Sequence, residues 1–274
     1  MTTSSFTIIR EQQVSWAKRI ARNHAREDYA VDVAANLFLG RLNECTERSY
    51  LAANGAELIE SKSGARPPKM SSLMSSSALV VNFFDVWGNQ GTAPLGAALG
   101  LDAPVLDLRF EYLCTHYPVG PRKPNLDLLL IQRDSGVAVE AKFAEPYRNP
   151  GADWLLGRTY FTDRVGPWEK VGLTRAQTLA EPLRARWEYL DVAQLLKHML
   201  GLAVDGCAKV LLYLWYDTGL PDADRHRREI ERFAAAVAGD PIEFRSVTYQ
   251  DAFQRLAPAA PQEWVEYMAA RYFQ

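Results

Sequence analysis

Residues 124–147 read PNLDLLLIQRDSGVAVEAKFAEPY. Two apolar runs, LDLLLI and VAVEAKF, flank the polar break QRDSG. Runs of this length on either side of an Asp-Ser-Gly turn predict a β-hairpin whose strands are buried. Yet Asp127, Glu140 and Lys142 stand inside those runs. A charge withdrawn from water is costly unless it is paired or holds an ion, so the three residues need an explanation.

Side chains of a strand alternate between its faces. Glu140 and Lys142 therefore share a face with Ala138, while Val137, Val139, Ala141 and Phe143 form a clean apolar face. Asp127 lies on the partner strand, toward the end of the hairpin away from its turn, as do Glu140 and Lys142. The three are expected to converge where the strands diverge. They could simply pair as an ion network. Two neighbouring carboxylates repel, however, and a hard divalent cation relieves that repulsion. Mg²⁺ takes oxygen ligands and is commonly held by one or two carboxylates plus substrate phosphates. A lysine beside such a cation can orient a water or stabilise a developing hydroxide. These are the parts needed to hydrolyse a phosphodiester.

The pattern D-x12-E-A-K across a hairpin resembles the PD-(D/E)XK nuclease superfamily, the restriction-endonuclease-like fold. The phrases SSSALVVNFF (75–84), FEY (110–112), NLDLLL (125–130) and EAKFAEP (140–146) resemble an uncharacterised bacterial group within it, over roughly residues 57 to 200. The resemblance implies that Asp127 and Glu140 bind Mg²⁺, with Mn²⁺ as a substitute, and that Lys142 assists the attacking water. Leu126, rather than proline, precedes the Asp. The superfamily often carries a further acid ahead of the hairpin. Glu111, on the preceding strand, is the choice here, with Glu57 and Glu60 as rivals and Asp85 the sole acid of the helix SSSALVVNFFDVW. Relatives also place a supporting glutamine or lysine on the helix after the hairpin, where Gln194 stands.

The rest of the chain sets bounds. Its 274 residues carry a net charge of −2, with 48% apolar and 23% charged residues, and its pI is near 6.1. A nucleic-acid partner would then need a local basic patch, because phosphate affinity comes from charges neutralised nearby. Candidates are Arg184, Arg186, Lys197 and the run at Arg225–Arg228, with Lys18, Arg19, Arg22 and Arg26 a lesser possibility. Cys45, Cys114 and Cys207 are far apart and form no zinc or disulfide pattern. His24, His116, His198 and His226 form no ligand pair, and His198 reads as a packed or surface residue. P-loop and nucleophile-elbow motifs are absent. No apolar run reaches the roughly 18 residues of a membrane span, and the N-terminus lacks a signal-peptide core. A cytoplasmic protein is expected.

Helical periodicity predicts helices from about Thr7 to Gly55, loops at 61–72 and through GNQGTAPLGAALGLDAP, a strand from Val105 to Tyr117, and the hairpin. Residues 144–185 read as irregular. There Trp154, Tyr160, Phe161 and Trp168 either close over the core or stack on bases. WEYLDVAQLLKHMLGLA is a helix in which Leu190, Ala193, Leu196 and Leu200 share a face. A strand KVLLYLWYD, a helix, a short strand EFRSVT and two helices follow. This order predicts one α/β domain over 1–274, with a mixed central sheet flanked by helices. It divides into a helical N-terminal part (1–56), a nuclease core (about 57–215) and a C-terminal α/β part (216–274). The expected activity is Mg²⁺-dependent phosphodiester hydrolysis, with DNA as the favoured substrate and homodimerisation left open. The alternative is a nuclease-like module that binds nucleic acid or protein without cutting.

Overall fold

The hairpin forms as its apolar runs require. In the computed structural model, which describes residues 3–20, 28–53, 55–60, 67–116, 123–151, 156, 160–161, 167–180 and 187–273, strand β2 (Asn125–Ile131) pairs antiparallel with β3 (Gly136–Lys142). On its outer side β2 pairs antiparallel with β1 (Asp107–Leu113). On the other side β3 runs parallel to β4 (Val210–Trp215), and β4 parallel to β5 (Glu243–Thr248). The result is a five-stranded mixed sheet in the order β1-β2-β3-β4-β5. The fold is α/β and compatible with a restriction-endonuclease-like core, as expected.

The helices are α1 (Ser5–Arg19), α2 (Glu44–Ala52), α3 (Ser76–Phe84), α4 (Trp87–Gln90), α5 (Ala93–Ala98), α6 (Glu145–Arg148), α7 (Pro167–Lys170), α8 (Thr174–Ala180), α9 (Val192–Asp205), α10 (Pro221–Val237), α11 (Tyr249–Leu256) and α12 (Gln262–Arg271). Helix α3 is capped by Ser75, whose side chain accepts from Ala78 N, and all but its first residue is buried. That burial agrees with its continuous apolar run. Helix α9 is capped by Asp191 and closed by Gly206 at φ 69°, a left-handed conformation that glycine adopts without strain. Leu190, expected on its face, is buried just ahead of the cap.

The hairpin is buried, as its apolar runs predict. Strand β3 is buried on both faces, so the Glu140 side is as enclosed as the Val139 side. A central strand beside a parallel neighbour is covered by helices from both sides.

The N-terminal third departs from expectation. Of the helices expected from about Thr7 to Gly55, α1 and α2 form, while VDVAANLFLGRL is largely irregular around a 3₁₀ turn at Ala34–Asn36. Polar side chains redirect it. Asp32 accepts from Ala35 N at 2.7 Å, and Asn36 donates to the carbonyls of Met70 and Ser72. Within residues 88–104, read as loop, lie the end of α4 and all of α5, and of the strand expected from Val105 to Tyr117 the described residues form β1 alone. Within 144–185 the described residues include α6, α7 and α8; Trp154 lies outside them. Trp168 and Tyr160 are buried and packed together, which is the core-closing alternative, and Phe161 is exposed.

The chain ends are pinned by Arg271. Its guanidinium is buried, donates to Gln13 Oε1, Asn36 O and Oδ1 and Tyr267 Oη, and lies 4.1 Å from the centre of the Trp16 ring. Polar oxygens and aromatic faces here do the work of a carboxylate partner.

Candidate active site

Three adjoining strands bring the acids level with one another. The β2–β3 ladder ends at Leu128↔Val139, and one step further Asp127 comes level with Glu140. The β1–β2 ladder skips one pair, between Phe110↔Leu128 and Tyr112↔Leu126, which is where Glu111 comes level with Asp127. Glu111 has φ 50°, the one described non-glycine residue with positive φ. Backbone strain of this kind costs about 1–3 kcal/mol and persists where the surroundings impose it. The sequence choice of Glu111 as the third acid thus falls on the strand position beside the other two.

Each carboxyl has a distinct environment. Asp127 is half-buried, and its Oδ2 accepts from Ala141 N at 2.7 Å, closing the gap left where the strands part. Glu140 is buried; its Oε1 takes the Lys142 ammonium at 2.5 Å. Its Oε2 lies 3.0 Å from Nε2 of His198. Neither of those two atoms is in hydrogen-bonding alignment, and Oε2 is left without a hydrogen bond. Asn125 donates to Glu111 through its side-chain amide.

The electrostatics follow. Burial alone would raise Glu140, but Lys142 and then His198 outweigh it and hold the carboxyl at about 2. Asp127 is pushed well up by burial and by the charge of Glu140, with Lys142 opposing. Burial also lifts Glu111 to about 7, against its bond from Asn125, with Glu57 and Glu140 adding to the rise. Lys142 is raised: its burial is overcome by Glu140, Asp127 and Glu145. One ammonium thus serves three acids, and it neutralises one of them.

That deficit of positive charge is what a divalent cation would fill. Among the described residues no three histidine, cysteine or acidic groups converge as a complete ligand set. Two neighbouring carboxylates still fit Mg²⁺, whose remaining positions water and phosphate supply. Asp127 and Glu140 are the residues that would hold it.

A cleft of about 310 Å³ opens beside Lys142 and is lined by Glu145, Asp191, Gln194 and Tyr213 among others. Gln194 lines this cleft from the first turn of α9. The Tyr213 hydroxyl is oriented from behind. Tyr147 donates to Tyr216 O at 3.0 Å and so must accept from His226 Nδ1, which leaves Nε2 to accept from Tyr213. The oxygen of Tyr213 can then only accept any further hydrogen bond.

The other sequence candidates separate from the site. Asp85 accepts from Asn43 N and Thr46 Oγ1 and fixes the start of α2. Glu57 is paired with Lys69 at 3.1 Å, near enough to Glu111 to raise it, and Glu60 is exposed. In the run at 225–228 the helical period turns His226 into the core, while Arg225 packs over Tyr189 and Arg227 pairs with Asp217. Arg184, Arg186, Arg22 and Arg26 lie outside the described residues.

A family described as restriction endonuclease associating with ARP matches residues 13–273. The chain belongs to this family. The match runs through all five strands and from α1 to α12, well beyond the residues 57 to 200 that carried the resemblance. Membership makes the chain a restriction-endonuclease-like protein, of nuclease kind. No curated protein and no solved structure gives a significant match. Among the described residues no helix is long and apolar enough to cross a membrane.

His198, read from the sequence as a packed or surface residue, is packed, with Nε2 3.0 Å from Glu140 Oε2. It stands four residues after Gln194, one helical turn along the same face. With the sheet taken as the partner of that face, the spacing alone could have pointed to it.

Proposed function

We propose that the chain is a divalent-metal-dependent nuclease that hydrolyses phosphodiester bonds, with DNA as its substrate. The observation that carries this reading is the group Asp127, Glu140 and Lys142 on paired strands: a half-buried acid with a raised pKa beside a buried carboxylate whose Oε1 is held by the Lys142 ammonium. Asp127 and Glu140 would bind Mg²⁺ or Mn²⁺, and Glu111 stands next to them as a third acid. A bound cation would supply Lewis-acid charge to the phosphate and acidity to a water. Lys142, less buried than Glu140 and lining the cleft, can turn its ammonium from Glu140 to the attacking water and stabilise hydroxide as it forms. Gln194 and Tyr213 line the same cleft, where Gln194 would position substrate.

The test is incubation with linear, circular and single-stranded DNA and with RNA, each in Mg²⁺, Mn²⁺ or EDTA. Cleavage of DNA in either metal and none in EDTA is expected. Cutting that survives EDTA, or no cutting of any substrate, overturns the reading.

A further inference from the structure

The side chain of His198 is buried and unspent. It is 3% exposed, and neither ring nitrogen makes a hydrogen bond. Buried polar groups without a partner are uncommon and call for an explanation. Here Nε2 lies 3.0 Å from the unbonded oxygen of Glu140. Two unsatisfied buried atoms on different elements face each other next to the proposed metal site.

The two contacts of Glu140 differ in how far they can give way. Lys142 reaches Oε1 on a long flexible chain and borders the open cleft. His198 sits within α9, which is held to the sheet at close range: a Cβ on Gly201 would lie 2.8 Å from Pro124 Cγ. A cation arriving at Glu140 must take an oxygen from one of them. Lys142 can move; His198 cannot. Metal-site contacts that are long in the free protein commonly tighten once the site is loaded.

We propose that His198 is a positioning residue that holds Oε2 of Glu140 on the α9 side and so turns Oε1 toward the metal. The inference rests on the metal-site reading above and adds to it the residue that fixes one ligand's orientation. An outer partner of this kind is worth about 10–100-fold in metal affinity. A merely structural histidine would leave affinity untouched once the protein is folded.

The experiment measures Mn²⁺ affinity of the full chain by electron paramagnetic resonance, for wild type, His198→Leu and His198→Gln, with thermal unfolding in EDTA to verify folding. The leucine removes the donor, and affinity should fall at least about tenfold. Glutamine keeps an N–H donor and should restore most of it. If wild type binds and His198→Leu binds equally well, the positioning role is overturned and the metal site stands. If wild type binds no Mn²⁺, the metal-site reading falls, and this inference with it. Should His198→Leu fail to fold, imidazole ¹⁵N spectra of wild type decide: the Nε2 resonance of His198 should move as Mg²⁺ is added. A resonance indifferent to Mg²⁺ overturns the proposal.

Discussion

The carboxylate of Asp127 accepts the backbone N–H of Ala141, Oδ2 to N at 2.7 Å, where β2 and β3 cease to pair. An amide can make the same bond. Asp127→Asn therefore keeps the hairpin end closed while removing one of three crowded acids. In EDTA its stability should equal or exceed that of wild type. Mg²⁺ at about 100 times its Kd should stabilise wild type by about 2.7 kcal/mol and the variant hardly at all. Were Asp127 half of a buried ion pair, the variant would lose about 3–5 kcal/mol in EDTA and neither protein would respond to metal. Thermal unfolding in both conditions decides.

Removing the ammonium should separate stability from chemistry. Lys142→Met leaves the buried Glu140 with His198 alone, and breaking a buried pair costs about 3–5 kcal/mol. Mg²⁺ should recover part of that loss, since a cation then answers the carboxylate. Cleavage, by contrast, should fall about 10²–10⁴-fold in saturating metal. Single-turnover kinetics alongside urea unfolding test both halves. Undiminished cleavage would remove Lys142 from the mechanism.

Acid should weaken the fold through His226. Burial, aided by Lys142, lowers this imidazole to about 3 in the folded chain, against about 6.5 when unfolded. Between those values the unfolded state binds the extra proton, so stability falls as pH drops. The loss from this group approaches about 1.4 kcal/mol per pH unit and is absent above about pH 6.5. His226→Gln abolishes the titration. The slope of urea-derived stability from about pH 6 to pH 4.5 should be shallower in the variant by up to that amount. Equal slopes would contradict the assignment.

Helix α9 should be sensitive at its point of closest approach. A Cβ on Gly201 would meet Pro124 Cγ at 2.8 Å and Cys114 Sγ at 3.1 Å, both held in the core. Gly201→Ala must lift the helix, at about 1–3 kcal/mol. Because α9 also carries Gln194 and His198, Mg²⁺ affinity should weaken in the folded variant. Calorimetry reads both. Unchanged stability would show that the helix has room to spare.

The hairpin and its charges were legible because their signals are local. An apolar run broken by Asp-Ser-Gly sets the turn, and the two-residue period sets which side chains group together. Asp127, Glu140 and Lys142 could be grouped from that alone, whereas Gln194 on the following helix was singled out by the family resemblance. The strands β4 and β5 and the closing helices α10, α11 and α12 were visible for the same reason.

What the sequence left open depends on contacts between distant residues. Asn36 reaches the carbonyls of Met70 and Ser72, which converts an apparently helical stretch into a docked loop. Glu111 is set beside Asp127 by a ladder interruption with φ 50°, for which no residue type is diagnostic. His198 meets Glu140 across α9 and β3, with α9 packed closely on Pro124 and Cys114 at Gly201. Periodicity assigns a residue to a face of its own helix, while the neighbour of that face is chosen by packing of the whole core. The ligand residues of the proposed site belong to the sequence, and the side chains that orient them belong to the tertiary structure.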